Sequence, residues 1–349
     1  MITLSDPSSS GFSFSVIIPA YNRRHTIEAT IASVLAQTSP VQEIIVIDDG
    51  STDGTLEILR SFEDRGVTIV ANSSNLGAPE SRNRGAKLAT SEWIAFLDSD
   101  DVWLPGKIAA DRAVIAHLGD TVDVIASNHV DVIEGIPGLF PTRKESYLDP
   151  EKALRVENFL GTCSSMTIRR RHFEAIGGFD AGLQSCQDWD IWLRAVSVGQ
   201  LAVAKPTSVH YTVSSGNNIS YDGRRRRAGH VFMWRAYIRP EADNLKARAT
   251  LAVTFADIAF NLDKRKSFLR MCLYALKRNR TAGMLAAIML LSAVGIRSYG
   301  PYRTRVLANL NRLRALRLRL SLLGLGRRQP EAVAVLSPAS GGQEVSDRT

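Results

Sequence analysis

The feature that most narrows the fold is a rhythm in the first hundred residues: four short apolar runs, each breaking off into polar residues. Residues 14–18 (FSVII) run into Pro19, Ala20, Tyr21 and Asn22, and 43–47 (EIIVI) into Asp48, Asp49, Gly50 and Ser51. Residues 67–71 (VTIVA) lead to NSSNLG, and 93–97 (WIAFL) to Asp98, Ser99, Asp100 and Asp101. Runs of this length, apolar throughout and rich in β-branched residues, are the pattern of strands buried on both sides. Between them the period changes to that of a helix. Ile27, Ile31, Val34 and Leu35 share one face, residues 53–62 group Leu56, Leu59 and Phe62 behind Asp53 as N-cap, and 78–89 read as a third helix. Strand–helix alternation predicts a parallel sheet with helices on both faces. Ligands of such sheets bind beyond the carboxyl ends of the strands, so the four polar clusters aim at one rim.

Farther along, helices are expected over 105–117, 172–180 and 188–198, strands over 122–126 and 164–170, and a loop over the site at 135–150. From Arg224 onward the pattern is almost entirely helical. The expected organisation is therefore a disordered lead-in (1–13), a sheet domain (14–222), a basic helical region (223–328) and a disordered tail (329–349). Charge supports the division: residues 1–200 carry 17 Lys and Arg against 27 Asp and Glu, whereas 201–349 carry 26 against 8. A basic back half suits anionic lipid, nucleic acid or another acidic surface. The first residues show no basic stretch leading into an apolar core, so no signal peptide is expected. Cys163, Cys186 and Cys272 are too widely spaced for a disulfide framework or a Cys-x-x-Cys metal site, and fit a reducing compartment.

Acids at three places along the chain carry the chemistry. Asp48 and Asp49 end the second strand, where they serve equally as turn formers or as acceptors for a nucleotide's base or ribose. Asp98, Asp100 and Asp101 crowd into four residues. Carboxylates that close repel one another unless a cation offsets them, and Mg²⁺ and similar hard cations take one or two carboxylates plus substrate phosphates. Asp101 is expected to cap the next segment of chain. Asp188 opens a helix, where it either complements the helix dipole or acts as a base; Asp190 is expected to pair with Arg194. The six histidines show no metal-ligand spacing, with His210 the one to watch, and neither a nucleophile elbow nor a phosphate-binding glycine loop is present.

The motifs SVIIPAYNRRHTIEATIASVLAQT, EIIVIDDGSTDGT, NLGAPESRNRGAKLATSEWIAFLDSDDVWLPGKI and GGFDAGLQSCQDWDIWLRA, in this order over about residues 14–220, resemble the family 2 glycosyltransferases of GT-A fold. The resemblance implies inverting transfer of a sugar from a nucleotide-diphosphate sugar, in most cases a UDP-sugar. It places Pro19, Ala20, Tyr21 and Asp49 around the nucleoside, and Asp98 and Asp100 in the DxD motif. Asp100 would then hold the divalent metal (Mg²⁺ or Mn²⁺), and Asp188 would be the general base. Two positions depart from the family pattern: Gln187 stands where Glu is common, and Ser214 where a histidine near the metal is common.

The apolar segment 282–296 is shorter than the roughly 18–20 residues that span a bilayer. Residues 303–325 set a leucine stripe against arginines, the pattern of a helix lying in a membrane interface. The expected partners are a nucleotide-sugar, a glycan or lipid-linked acceptor and the inner face of the cytoplasmic membrane, not nucleic acid. The expected role is cytoplasmic or peripheral, in cell-envelope or surface polysaccharide synthesis. The alternatives are a nucleotidyltransferase making sugar nucleotides, or a non-enzymatic basic binding module.

Overall fold

The computed structural model describes residues 11–133, 139–142, 149–213, 222–238, 245–262, 264–278 and 286. It opens with β1 (Phe14–Ala20), α1 (Ile27–Leu35), β2 (Glu43–Asp48), α2 (Thr55–Arg60), β3 (Val67–Ala71), α3 (Ala78–Leu88) and β4 (Trp93–Phe96). The middle of the chain forms β5 (Val102–Trp103), α4 (Lys107–Leu118), β6 (Val124–Ile133), β7 (Leu139–Thr142) and α5 (Pro150–Leu154). It continues through β8 (Met166–Arg169), α6 (Arg170–Ala175), α7 (Gln187–Val198) and β9 (Leu201–Val213). The basic part contributes α8 (Gly223–Met233), α9 (Leu245–Asn261) and α10 (Arg265–Arg278). The segment around Ser214, the helix expected over 303–325, the lead-in up to residue 10, the tail and all of 282–296 except residue 286 lie outside the described residues.

The described strands form one sheet in the order β3-β2-β1-β4-β8-β6-β9-β5, with β7 paired to β6. As the sequence pattern predicts, β3, β2, β1 and β4 are mutually parallel. The sheet as a whole is mixed, because β8 runs antiparallel to both β4 and β6. The physical reason lies in the path of the chain. After β4 it leaves across the rim through β5, α4, β6, β7 and α5, and re-enters the sheet from that rim through a 3-10 turn at Cys163–Ser165. That return carries Thr162 and Ser164 to the polar end of β4.

Side chains alternate between two cores across the sheet. Val16, Ile18 and Val46 pack with Ile31 and Val34 of α1 and with Ile108 of α4. Ile17, Ile47 and Phe96 pack on the opposite face with Ala86 of α3, Phe173 of α6 and Trp192 of α7. Helix α3 approaches β1 so closely that a Cβ on Gly85 would collide with the Ile17 side chain. Helix α2 begins at Thr55 with Gly54 as its N-cap, so Asp53 is not the cap residue. Instead its Oδ1 accepts the Thr55 N–H at 3.0 Å, one residue farther out.

Candidate active site

The loops after β1 and β2 lock into each other. Asn22 adopts φ 52°, a left-handed conformation that Asn tolerates better than most residues. Its N–H donates to Ser51 Oγ at 3.0 Å, and its Oδ1 accepts the Thr52 N–H at 2.9 Å. The Arg23 N–H donates to Thr55 Oγ1 at 2.7 Å. Pro19 and Ala20 are buried in β1, while Tyr21 stands at the rim, 42% exposed.

The two acids after β2 divide their work. Asp49 is buried, and its carboxylate accepts from Asn72 Nδ2 (2.7 Å), the Leu76 N–H (2.9 Å) and the Gly77 N–H (2.8 Å). It thereby organises the loop that leads into α3. Asp48 accepts the Ser51 N–H on Oδ2 at 3.2 Å, but its buried Oδ1 finds no protein donor. A buried acceptor left unpaired costs about 1–3 kcal/mol. Asp48 is thus the acid here with an oxygen to offer a ligand, a distinction the sequence pair does not reveal.

The acids after β4 differ as sharply. Asp98 Oδ1 accepts from Arg82 Nη2 at 2.5 Å, and its Oδ2 accepts from Thr162 Oγ1 at 3.3 Å. Asp100 faces Arg23 at 3.5 Å, and burial, reinforced by the charge of Asp98, pushes its carboxyl above the usual carboxylate range. Asp101 does not cap the segment after it. It is fully buried, accepts from Ser164 Oγ (2.5 Å) and the Thr212 N–H (2.9 Å), and so ties the 3-10 turn before β8, and β9, to the rim. Burial and the neighbouring acids Asp98 and Asp100 push it well up.

Helix α7 starts from Cys186 at φ 62° and delivers Asp188 in its first turn. Asp188 is partly buried, and its Oδ2 accepts from Asn158 Nδ2 at 2.9 Å. Asn158 is itself clamped by Gly161, whose N–H donates to Oδ1 at 2.9 Å and whose carbonyl accepts from Nδ2 at 3.1 Å. Burial pushes Asp188 up to about 6; the Trp189 N–H opposes the rise and the Asp98 charge adds to it. Gln187 accepts from Arg82 Nη1 at 3.2 Å and donates to the Leu183 carbonyl at 2.9 Å. One guanidinium therefore joins the β4 acids to the start of α7. Asp190, by contrast, is buried and paired with Arg194 at 2.6 Å, as its spacing predicts.

Asn158, Arg82 and Tyr211 are site residues that sequence reasoning missed. Burial and the charges of Asp101, Asp188, Asp98 and Asp100 together push the Tyr211 hydroxyl well up, so β9 brings it among the acids. His210 beside it pairs with Val102 in the sheet. Among the described residues no group of three or more His, Cys, Asp or Glu is arranged to hold a metal ion. Asp98 and Asp100 nevertheless have the donor chemistry for a Mg²⁺ or Mn²⁺ whose remaining ligands would come from a substrate diphosphate: two crowded carboxylates, of which Asp100 is raised by burial and then by the charge of Asp98.

The sequence description of Glycosyl transferase family 2 matches residues 15–177. The chain is 34% identical over 188 residues to the UDP-Glc:alpha-D-GlcNAc-diphosphoundecaprenol beta-1,3-glucosyltransferase WfaP of Escherichia coli, a match covering 53% of this chain and 70% of that one. The chain belongs to glycosyl transferase family 2. It is a glycosyltransferase, and the nucleotidyltransferase and non-enzymatic alternatives fall away. An uncharacterized glycosyltransferase of Haemophilus influenzae is 31% identical over 182 residues, which are 52% of this chain and 60% of that relative's length. The crystal structure of S. aureus TarS in complex with UDP-GlcNAc superposes with a TM-score of 0.54 over 78% of this chain and 84% of that one, at 20% identity. At that identity the likeness establishes the GT-A fold.

Proposed function

We propose that this glycosyltransferase moves a sugar from a UDP-sugar to a hydroxyl of a lipid-linked glycan, with inversion and with Asp188 as general base. The observation that carries the reading is that Arg82, bonded both to Asp98 and to Gln187, sets the acids after β4 beside the helix start that carries Asp188. Asp98 and Asp100 crowd at the rim, whereas Asp188 is poised near neutrality, at about 6, beside them. A base must lie near the operating pH to take a proton efficiently.

Each residue takes a separate part of the reaction. Pro19, Ala20 and Tyr21 shape the nucleoside side of the rim. Asp48 offers its unpaired oxygen to the nucleoside, and Asp49 acts at one remove by holding the adjoining loop. Asp98 and Asp100 would hold the divalent metal, which supplies charge neutralisation at the diphosphate when bound. Arg82 and Thr162 hold Asp98, and Arg23 steadies Asp100. With Asn158 occupying Oδ2 of Asp188, Oδ1 is left to take the proton of the acceptor hydroxyl. The hydroxyl oxygen bonds to the anomeric carbon as the bond to the diphosphate breaks, and that electron pair leaves with the nucleotide. One displacement of this kind inverts the centre and needs no enzyme nucleophile.

WfaP, by its name, uses UDP-Glc and a diphosphoundecaprenol-linked sugar, which supports a UDP-sugar donor and a lipid-linked acceptor in surface polysaccharide synthesis. A membrane contact on the cytoplasmic face agrees with α10, whose Leu269, Leu273 and Leu276 are 48%, 46% and 41% exposed. They lie along one side of a helix that holds Arg265, Lys266, Arg270, Lys277 and Arg278 and no acid. Among the described residues no helix is long and apolar enough to cross a membrane. The test is a binding screen of nucleotide-sugars with and without Mn²⁺ or Mg²⁺, then transfer assays on Asp188→Asn. Undiminished transfer by that variant overturns the base assignment.

A further inference from the structure

The loop that carries Asn158 holds the base-bearing helix at more than one point. Gly161 clamps Asn158 onto Asp188 through its N–H and its carbonyl, and that same carbonyl accepts from Trp192 Nε1 at 3.1 Å. Trp192 is buried and stands four residues beyond Asp188, so the two share one face of α7. Residues 158–161 therefore grip α7 at two places one turn apart. The loop closes this tightly because Gly161 adopts φ 74°, a conformation open to glycine.

Its stop on the other side is His129 of β6. A Cβ on Gly161 would lie 2.9 Å from His129 Cε1 and 3.7 Å from each ring nitrogen, so the imidazole rests directly on the Gly161 backbone. The ring is buried and is itself fixed: Nε2 lies 3.3 Å from Asp131 Oδ1, and Tyr211 stands edge-on with ring centroids 6.0 Å apart. His129 and Asp131 are two apart on β6 and so share one face of it, and Asp131 is the sheet partner of Tyr211 on β9. Interiors packed this closely transmit a displacement instead of absorbing it. Without the ring, the Gly161 backbone loses its support from β6, and the clamp on Asn158 loosens with it.

We propose that His129 is a positioning residue for glycosyl transfer: its ring holds the 158–161 loop against α7 and so keeps Asn158 on Asp188. The inference rests on the reading of Asp188 as the base. The experiment is a ¹³C NMR titration of the aspartate carboxyls of the full chain from pH 4 to 9, with the Asp188 signal assigned by its absence from Asp188→Asn. In the wild type Asp188 is expected to titrate near 6. His129→Val, which suits a strand but removes the ring, should raise that midpoint by about half a unit, part of what loss of the Asn158 bond itself would bring. His129→Phe, which keeps a ring but no titrating nitrogen, should leave the midpoint in place; a direct charge effect of the imidazole would move both variants alike. In the Asn158→Ala background, His129→Val should add nothing. A midpoint unmoved in His129→Val, moved as far in His129→Phe, or moved further in the double variant overturns the proposal. Should His129→Val fail to unfold cooperatively, Asp131→Asn decides: loss of an acid alone would lower the midpoint, whereas a loosened ring raises it, so a midpoint unmoved or lowered overturns the proposal. Transfer retained by Asp188→Asn overturns the base reading instead, and these titrations, which need no substrate, are read independently of it.

Discussion

Replacing Asn158 by Ala tests the base assignment without touching the base. Asn158 donates to Asp188 Oδ2 at 2.9 Å and is held rigid by Gly161, so it favours the ionised carboxylate over the acid. A hydrogen bond to a charged group contributes about 1.5–3 kcal/mol. Water taking the place of the amide would recover part of this, leaving a net loss near the lower figure. At about 1.4 kcal/mol per pKa unit, the Asp188 pKa should rise by about one unit. The acidic limb of kcat/KM for the acceptor, expected near 6 in the wild type, moves to about 7. At pH 6.5 the ionised fraction falls about threefold, and by pH 8.5 the difference disappears. The assay is kcat/KM for the acceptor from pH 5 to 9 at saturating donor. A purely structural defect lowers the plateau at every pH and leaves the limb in place. A limb unmoved in Asn158→Ala, with the plateau lowered or not, refutes the reasoning.

The same contacts set four further outcomes. Asp188 is raised from about 4 when unfolded to about 6 when folded, so its ionisation opposes folding: the cost is absent below about pH 4, grows to pH 6 and is constant above, at no more than about 3 kcal/mol. Asp188→Asn should therefore raise Tm at pH 8 while abolishing transfer, with the gain shrinking as pH falls through 6, as thermal unfolding at both pH values will show. Gln187→Glu adds a carboxylate beside Arg82 and competes with Asp98 for it, so the acidic limb of the pH profile should move upward, against no movement if Gln187 is a bystander. Asp100→Asn should remove most of the gain in UDP affinity on adding Mn²⁺ while leaving metal-free affinity within twofold, measured by calorimetry. Changing Leu269, Leu273 and Leu276 together to Ser should reduce sedimentation with anionic vesicles severalfold, and in the parent protein that binding should weaken with salt.

How far the site could be read from the chain depends on what each residue answers to. The strands β1 to β4 answer to burial, which leaves a one-dimensional record of continuous apolar runs, so their order of polar ends and the shared rim were legible. Strand β9 was not legible, because Pro206 breaks its pattern and a proline cannot donate to a sheet ladder. The structure accommodates it with a register shift: Ser127 pairs with Ala204 and Asn128 with Thr207, and Asn128 Nδ2 donates to the skipped Lys205 carbonyl at 2.7 Å. That accommodation lets β9 run on to place Tyr211 and the Thr212 N–H among the acids. The acids themselves show the deeper limit. Asp48 and Asp49 are adjacent and identical, yet one is consumed by a loop and the other retains an unpaired oxygen. Asp98, Asp100 and Asp101 likewise part into a guanidinium partner, a rim carboxylate and a buried tie between the turn before β8 and strand β9. Nothing in composition or spacing distinguishes these fates, because they are decided by partners 16 to 111 positions away that the topology alone brings into reach. The same holds for Asn158, which sits in a stretch with no motif and acquires its place only because the chain re-enters the sheet from the rim. The mixed sheet is thus the device that assembles the base: antiparallel β8 turns the 158–165 segment toward the acids, and α7 then sets Asp188 against it.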